Sequence, residues 1–248
     1  MDTLPIRIKR HLRYLRYIGL RQYLGYLAAR GPETIPVWIG ETQIWVRPRT
    51  HDLSVAITSL SGEFDLLRDV QPQDFDGVIV DAGGYIGTAA IAMAHLFPKA
   101  RILTIEPVRD NMLVLRQNVA RYANIQPIHG ALVGQPGQDL RMMDRGTGAW
   151  GFTVAQGSAS GVLKNKAPAV ELTGLGVDVS EIGILKLDIE GSEFDLLTHA
   201  APALAQINAI LIELHDRIIA GCSDAFFAFS ADRTVIRNGG EKYLSLRA

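Results

Sequence analysis

Residues 78–87 read Val-Ile-Val-Asp-Ala-Gly-Gly-Tyr-Ile-Gly, an apolar β-branched run that ends in Asp81 and enters a glycine turn. A small-residue segment, Thr88 to Leu96, follows and reads as a helix. A strand that stops at a glycine turn and feeds a helix is the nucleotide-binding corner of an open α/β sheet. Glycine lets a ligand approach the backbone, and the first N–H groups of a helix have no partner within it. A second apolar run, Ala100 to Ile105, ends in Glu106. A carboxylate at the tip of the second strand can accept both hydroxyls of a ribose, so this corner suits an adenosine-type cofactor.

The frame Ala82-Gly83-Gly84-Tyr85-Ile86-Gly87 lacks the first glycine of a dinucleotide fingerprint. Asp81, just before the turn, would repel a pyrophosphate but can orient the ammonium of an amino-acid group. That favours S-adenosylmethionine, which has no phosphate, over NAD. Gly83 and Gly87 are expected to bring bare backbone against the ligand. A glycine turn serving only strand–helix packing is the plain alternative.

The run Val80 to Thr88 resembles motif I of the FkbM family of S-adenosylmethionine-dependent methyltransferases, and so does Ile105-Glu106-Pro107 followed by Asn111, Leu115 and Asn118. The segment Ile184-Leu185-Lys186-Leu187-Asp188-Ile189-Glu190-Gly191-Ser192-Glu193 is similar to the family's hallmark. Ile210 to His215 resembles the strand after it, and Arg49 to Leu53 with Gly62-Glu63-Phe64 resembles the segment that leads in. The likeness covers residues 45–216 and departs at Gly84-Tyr85, where the family commonly carries Ala-Asn. It implies a Rossmann-like class I methyltransferase fold: α/β, with a doubly wound, mostly parallel sheet, a C-terminal antiparallel hairpin and N-terminal helices. It also implies O-methyl transfer to a sugar or glycosylated metabolite. Expected cofactor contacts are Glu63, Asp81, Gly83, Tyr85, Gly87, Glu106, Pro107, Gly130, Ala131 and Asp188. Of these, Gly130-Ala131 stands for the family's adenine-side turn and Glu63 for the amino-acid end. An NAD-type oxidoreductase and a catalytically silent cofactor-binding partner module are the competing functions.

At 248 residues, with 48% apolar and 21% charged side chains, one substantial core is expected. A net charge of −1 argues against general nucleic-acid affinity. The single cysteine, Cys222, cannot pair internally and reads as a bystander in a reducing compartment. No run approaches the length of a membrane span, and arginines break any secretory signal, so a cytoplasmic location is expected. Residues 1–30 are different. They carry Arg7, Lys9, Arg10, Arg13, Arg16, Arg21 and Arg30 against one acid, Asp2, with Leu4, Ile8, Leu12, Tyr14, Leu15 and Ile18 at helical spacing. Residues 1–36 therefore read as a basic amphipathic helical segment ahead of a domain at 37–248. That segment would pack on the sheet edge or on a second subunit of a homo-oligomer, or touch an anionic membrane surface or a glycosylated acceptor.

Strands are expected at Thr42–Arg47, Val78–Asp81, Arg101–Glu106, Ile125–His129, Ile184–Asp188 and Ala209–Glu213. Helices are expected at Asp52–Leu67, broken at Gly62, and at Thr88–Leu96, Asp110–Tyr122, Glu193–Ala201 and Asp224–Ser230. A hairpin closes the chain through Asn238-Gly239-Gly240-Glu241. Residues 134–178 look irregular, with a short strand at Trp150, Phe152 and Val154, and solvated acids at Asp139 and Asp144. His129 is expected to pack at its strand end. The tips of the fourth and fifth strands face the methyl group in such a sheet, and they carry Asp188, Glu213 and His215. Three roles are open there. Asp188 and Glu213 could ligate a cation such as Mg2+, His215 could be a metal-free general base, or Asp188, Glu190 and Lys186 could form an ion-pair cluster.

Overall fold

The computed structural model describes residues 6–135, 141–144, 152–155 and 162–248. In chain order the elements begin with helix α1 (Ile6–Ala28), the hairpin β1 (Ile35–Ile39) and β2 (Thr42–Val46), and α2 (Asp52–Thr58). Next come β3 (Val78–Ala82), α3 (Thr88–Leu96), β4 (Arg101–Glu106), α4 (Arg109–Val119), β5 (Ile125–His129) and β6 (Ala131–Leu132). They continue with β7 (Arg141–Asp144), β8 (Phe152–Ala155), β9 (Val162–Lys166), β10 (Ala169–Val170), β11 (Ile182–Leu187), α5 (Glu193–His199) and α6 (Ala201–Leu204). The chain closes with β12 (Ala209–Glu213), α7 (Cys222–Phe229), β13 (Arg233–Arg237) and β14 (Lys242–Arg247).

Seven strands form the central sheet in the order β13-β14-β12-β11-β3-β4-β5. The five from β12 to β5 run parallel; β14 is antiparallel to both its neighbours, β12 and β13, so β13 points the same way as the five. The order reverses at β3, which lies between β4 and β11, so the crevice at the carboxyl ends of these strands is a topological switch point. This is the Rossmann-like class I methyltransferase arrangement that the resemblance implied.

Alternation along the strands sorts the core into two layers. Ile79, Ile102, Ile184 and Ala209 pack with α1, α2, α3 and α4 on one face. Val78, Val80, Leu103, Leu185 and Ile210 pack with α5 and α7 on the other. The same parity puts Asp81, Thr104, Glu106, Lys186 and Glu213 on the α1–α4 face, where they gather at the carboxyl ends of the strands. α3 has every residue but His95 buried, which its alanines allow because they let it lie close on the sheet.

Four details differ from the sequence reading. The segment after α2 does not run as one helix: a wide turn spans Ser59–Glu63, with Gly62 at φ 96°, before a tight turn at Asp65–Asp69. Pro36, expected in a turn, lies inside β1, where a two-stranded hairpin tolerates it. The boundary drawn after residue 36 therefore cuts through β1, while Tyr14, Ile18 and Tyr26 of α1 belong to the same core as Ile79 and Ile91. Residues 141–166 hold a three-stranded antiparallel sheet, β8-β7-β9, rather than one short strand. Asp139 and Trp150 lie outside the described residues, as does the side chain of Asp144. Among the described residues no helix is long and apolar enough to cross a membrane.

Candidate active site

A cavity of about 250 Å³ opens over the carboxyl ends of β3, β4 and β11. Its floor is the turn after β3. Gly83, at φ 83°, lies where a Cβ would stand 1.8 Å from the Asp188 carbonyl oxygen, and a Cβ on Gly84 would stand 2.3 Å from Thr104 Oγ1. Both glycines line the cavity. What forbids a side chain at either position is the neighbouring strand, not the ligand. Gly87, expected at the ligand, caps α3 at φ 85° against Leu115 and Val119 and does not line the cavity.

Tyr85 bridges these glycines at φ 48°, a conformation a bulky residue rarely adopts. Two bonds hold it. Its N–H donates to Glu106 Oε2 at 2.8 Å, and its hydroxyl donates to Asp52. Asp52 is fully buried and also accepts from the Arg47 backbone N–H and guanidinium, while that guanidinium lies 5.6 Å from the Tyr85 ring centroid. Burial, then the Asp52 charge and hydrogen bond, push the Tyr85 phenol far above its ordinary value, so it stays a donor.

Glu106 stands at the tip of β4, nearly buried, yet lines the cavity. Its Oε1 accepts from Val108 N at 2.8 Å and Asn111 Nδ2 at 3.2 Å. With Tyr85 N on Oε2, three of about four acceptor positions are filled. One remains, on Oε2, so both hydroxyls of a ribose are not accepted without displacing Asn111. Desolvation lifts the carboxyl to about 7 despite these bonds, with the Asp81 charge adding to the rise.

Asp81 does not reach the cavity. It is fully buried, accepts from Thr104 Oγ1 at 2.8 Å, and pairs at 2.9 Å with the ammonium of Lys186. The register that sets Lys186 beside Asp81 explains this. The protein itself supplies the ammonium that Asp81 was expected to receive from a ligand. Burial alone would lower the Lys186 pKa, but the Asp81 and Asp188 charges raise it above its ordinary value. Lys186 thus pairs with Asp81 rather than joining Glu190 in a cluster.

On the far wall stand Asp188, Glu190, Glu213, Glu63 and Lys242. Lys242, from β14, bonds Glu63 and lies 3.4 Å from Glu213. Burial, and then the neighbouring Asp188 charge, raise the Glu213 pKa. Glu190 rises to about 7, by burial first. Behind them His215 is 1% exposed and does not line the cavity. Its Nδ1 is 2.8 Å from buried Glu193, and its Nε2 is 3.8–3.9 Å from Asp188, Glu190 and Glu213. Burial pulls its pKa down, but the Glu193 bond and the charges of Glu193, Glu190 and Asp188 bring it up to about 9. Raised to about 9 and set behind the cavity wall, this imidazole is poorly placed for the general-base role, one of the three open from the sequence.

The donor atoms of Asp188, Glu213 and His215 lie within 4.8 Å of one another. A nitrogen in the set and an ammonium beside Glu213 depart from the all-oxygen shell magnesium prefers. Pro107, Gly130 and Ala131 line the opposite end, and His129 packs with Nε2 3.0 Å from Pro107 O. Cys222 is buried, with its thiol pushed up to about 11 by burial, and offers no nucleophile.

The family model described as "Methyltransferase FkbM domain" matches residues 81–230. The chain belongs to the FkbM methyltransferase domain family. The FkbM segment holds every expected site residue except Glu63, and it leaves out α1 and the β13–β14 hairpin that carries Lys242. A relative, the hexuronic acid methyltransferase AglP of Haloferax volcanii, is 28% identical over 161 residues. That match covers 64% of this chain and 65% of the relative's length. Among solved structures, a transferase-like protein of Pyrococcus horikoshii is 8% identical with a TM-score of 0.47, covering 87% of this chain and 71% of that one. A caffeoyl-CoA O-methyltransferase-like protein of Staphylococcus aureus is 11% identical with a TM-score of 0.46, covering 75% and 82%.

Sequence reasoning missed Arg47, Asp52 and Lys242 as parts of this FkbM site. Asp52 and Glu193 lay in segments matched to the family but were read only as helix starts. Lys242 had no local signal, because its partner Glu63 is 179 residues away.

Proposed function

We propose that this protein transfers the methyl group of S-adenosylmethionine to a hydroxyl of a sugar or glycosylated metabolite. The observation that carries the proposal is the charge of the cavity. Five carboxyl side chains, Glu63, Glu106, Asp188, Glu190 and Glu213, line it against two ammonium groups, Lys186 and Lys242. Both ammonium groups are already paired with carboxylates. Even with Glu106 and Glu190 raised to about 7, neither ammonium is free to receive a pyrophosphate, whereas a sulfonium and an amino-acid ammonium meet carboxylates. This disfavours an NAD-type oxidoreductase.

The residues present fit such a cofactor. Ile105, Val108, Ala131 and Leu132 offer an apolar wall for a purine, and Glu106 keeps one acceptor position for a ribose hydroxyl. Glu63 and Asp188 flank the end away from that wall. When bound, the cofactor supplies an electrophilic methyl group on sulfur. Asp188, 36% exposed, and Glu213 accept hydrogen bonds from acceptor hydroxyls and hold the reacting oxygen in line. A carboxylate there takes the proton as the oxygen–methyl bond forms. Membership of the FkbM family supports methyl transfer, and the hexuronic acid named for the relative supports a carbohydrate acceptor.

Isothermal titration with S-adenosylmethionine tests the first step, and a screen of hydroxylated sugars scored by methyl transfer tests the second. Binding and turnover together support the proposal. Binding without turnover on any acceptor would favour a silent partner module. NADH binding in place of S-adenosylmethionine would overturn both.

A further inference from the structure

We propose that the outer face of α1 docks this protein on an anionic lipid surface, an inference independent of the methyl-transfer reading. α1 has two apolar faces, and the fold uses one. Tyr14, Ile18 and Tyr26 point inward and are 4–6% exposed. Outward stand Ile8, Leu12, Tyr17, Leu20, Leu24 and Leu27, each 37–61% exposed. Large apolar side chains at this exposure are sparse over the rest of the described surface, yet one helix gathers six of them. Trp38 of β1, 47% exposed, extends the patch. Its backbone is tied to α1 by two hydrogen bonds with the Gln22 amide, at 2.7 and 3.2 Å.

Charge identifies the occupant. Between residues 3 and 32 there are seven lysines and arginines and no acid, although the whole chain has a net charge of −1. The rest of the chain is therefore net acidic and would repel the surface that this segment attracts. Lys9, Arg10, Arg16 and Arg21 are exposed beside the apolar residues. A helix that lies in a lipid interface has this composition: apolar side chains that enter the acyl boundary, basic ones that meet phosphates, and an aromatic ring at headgroup level. A second copy of the chain would bring the same cations face to face, and an acidic sheet edge would leave the leucines unpaired. The break at Gly19, φ 71° and ψ 164°, divides the helix into two shorter pieces, and exposed apolar side chains stand on both.

The surface is joined to the cavity. Arg13 donates to Thr58 Oγ1 at 2.7 Å, and the Tyr14 hydroxyl is hydrogen-bonded with Ser54, and both partners are cavity-lining residues of α2. Docking by α1 sets that wall one helix away from the lipid.

The test is sedimentation of the full chain with phosphatidylcholine vesicles, with and without phosphatidylglycerol. Binding should need the anionic lipid and weaken as salt rises. Two variants separate the contributions, Leu20→Ser/Leu24→Ser and Arg16→Gln/Arg21→Gln. All four positions are exposed, so thermal denaturation should be unchanged while lipid affinity falls by roughly tenfold or more. No binding, or equal binding to neutral vesicles, would overturn the proposal. So would a dimer, detected by light scattering, that the leucine variant dissolves in a protein that ignores vesicles.

Discussion

Glu106 is a carboxyl whose two oxygens are fixed by Tyr85 N, Val108 N and Asn111, and whose burial still lifts it from an ordinary value near 4.5 to about 7. A carboxyl raised in the folded state binds its proton more tightly there than in the unfolded chain. The stability this contributes is complete below about pH 4.5 and is lost as pH rises through about 7. Cofactor affinity should run the other way, since the ionised carboxyl is the better acceptor for a ribose hydroxyl. Between pH 5.5 and 7.5 the free protein should therefore lose melting temperature while its affinity for S-adenosylmethionine grows; Glu106→Gln should flatten the affinity trend and lessen the melting trend, to which Glu190, also raised to about 7, contributes. At pH 8 the same variant should weaken binding by about 1.5–3 kcal/mol, as for a hydrogen bond to a charged group. Titration calorimetry and melting curves across that range check both, and parallel trends would place the ribose elsewhere. The Asp188, Glu213 and His215 group carries a separate prediction. With Lys242 3.4 Å from Glu213 and a nitrogen among the donors, the set suits magnesium poorly. Turnover should persist in EDTA. Loss on chelation and recovery with a divalent cation would assign those donors to a metal.

At the scale of elements, the tips of β3 and β11 are in contact through Gly83. Any Cβ there would meet the Asp188 carbonyl oxygen, and φ 83° adds a left-handed penalty. Gly83→Ala should cost roughly 1–2 kcal/mol for conformation and a further 1–3 for overpacking. Chemical denaturation measures this. An undiminished midpoint, with binding lost, would return the glycine to a ligand-facing role. The central strands were legible in the sequence because buried parallel strands are short apolar runs, and those runs ended at turn residues or acids. β1 was not, because Pro36 reads as punctuation unless the pairing partner is known. The Asp81–Lys186 pair was illegible for a similar reason. It depends on the register between β3 and β11, which no local pattern encodes, and it inverted the expected role of Asp81. Glu106 was legible as a strand-tip acid, but its three prior donors were not.

For the whole molecule, the question is whether α1 is an appendage or part of the fold. The sequence suggested a boundary near residue 36 because charge and composition change there. Charge describes the outer face of α1, however, and packing is decided by the inner one. Tyr14, Ile18 and Tyr26 share a core with Ile79, Ile91 and Phe97, and Arg13 reaches Thr58 on the cavity wall. Each large apolar side chain removed from a core costs roughly 1.5–3 kcal/mol. Three together approach about 5–9 kcal/mol, which is comparable with the whole stability of an ordinary domain at about 5–15 kcal/mol. These areas assume an extended unfolded chain and so set an upper bound. A chain beginning at residue 30 should accordingly melt far below the full protein, or fail to fold, and should lose cofactor affinity through the disturbed α2 wall. Melting temperature and S-adenosylmethionine affinity of that truncation check the expectation. If both match the full chain, α1 packs too weakly to matter and the boundary belongs near residue 36. If both fall, lipid binding by α1 must be read from its exposed leucines and arginines, because deletion would remove the wall of the site together with the docking face.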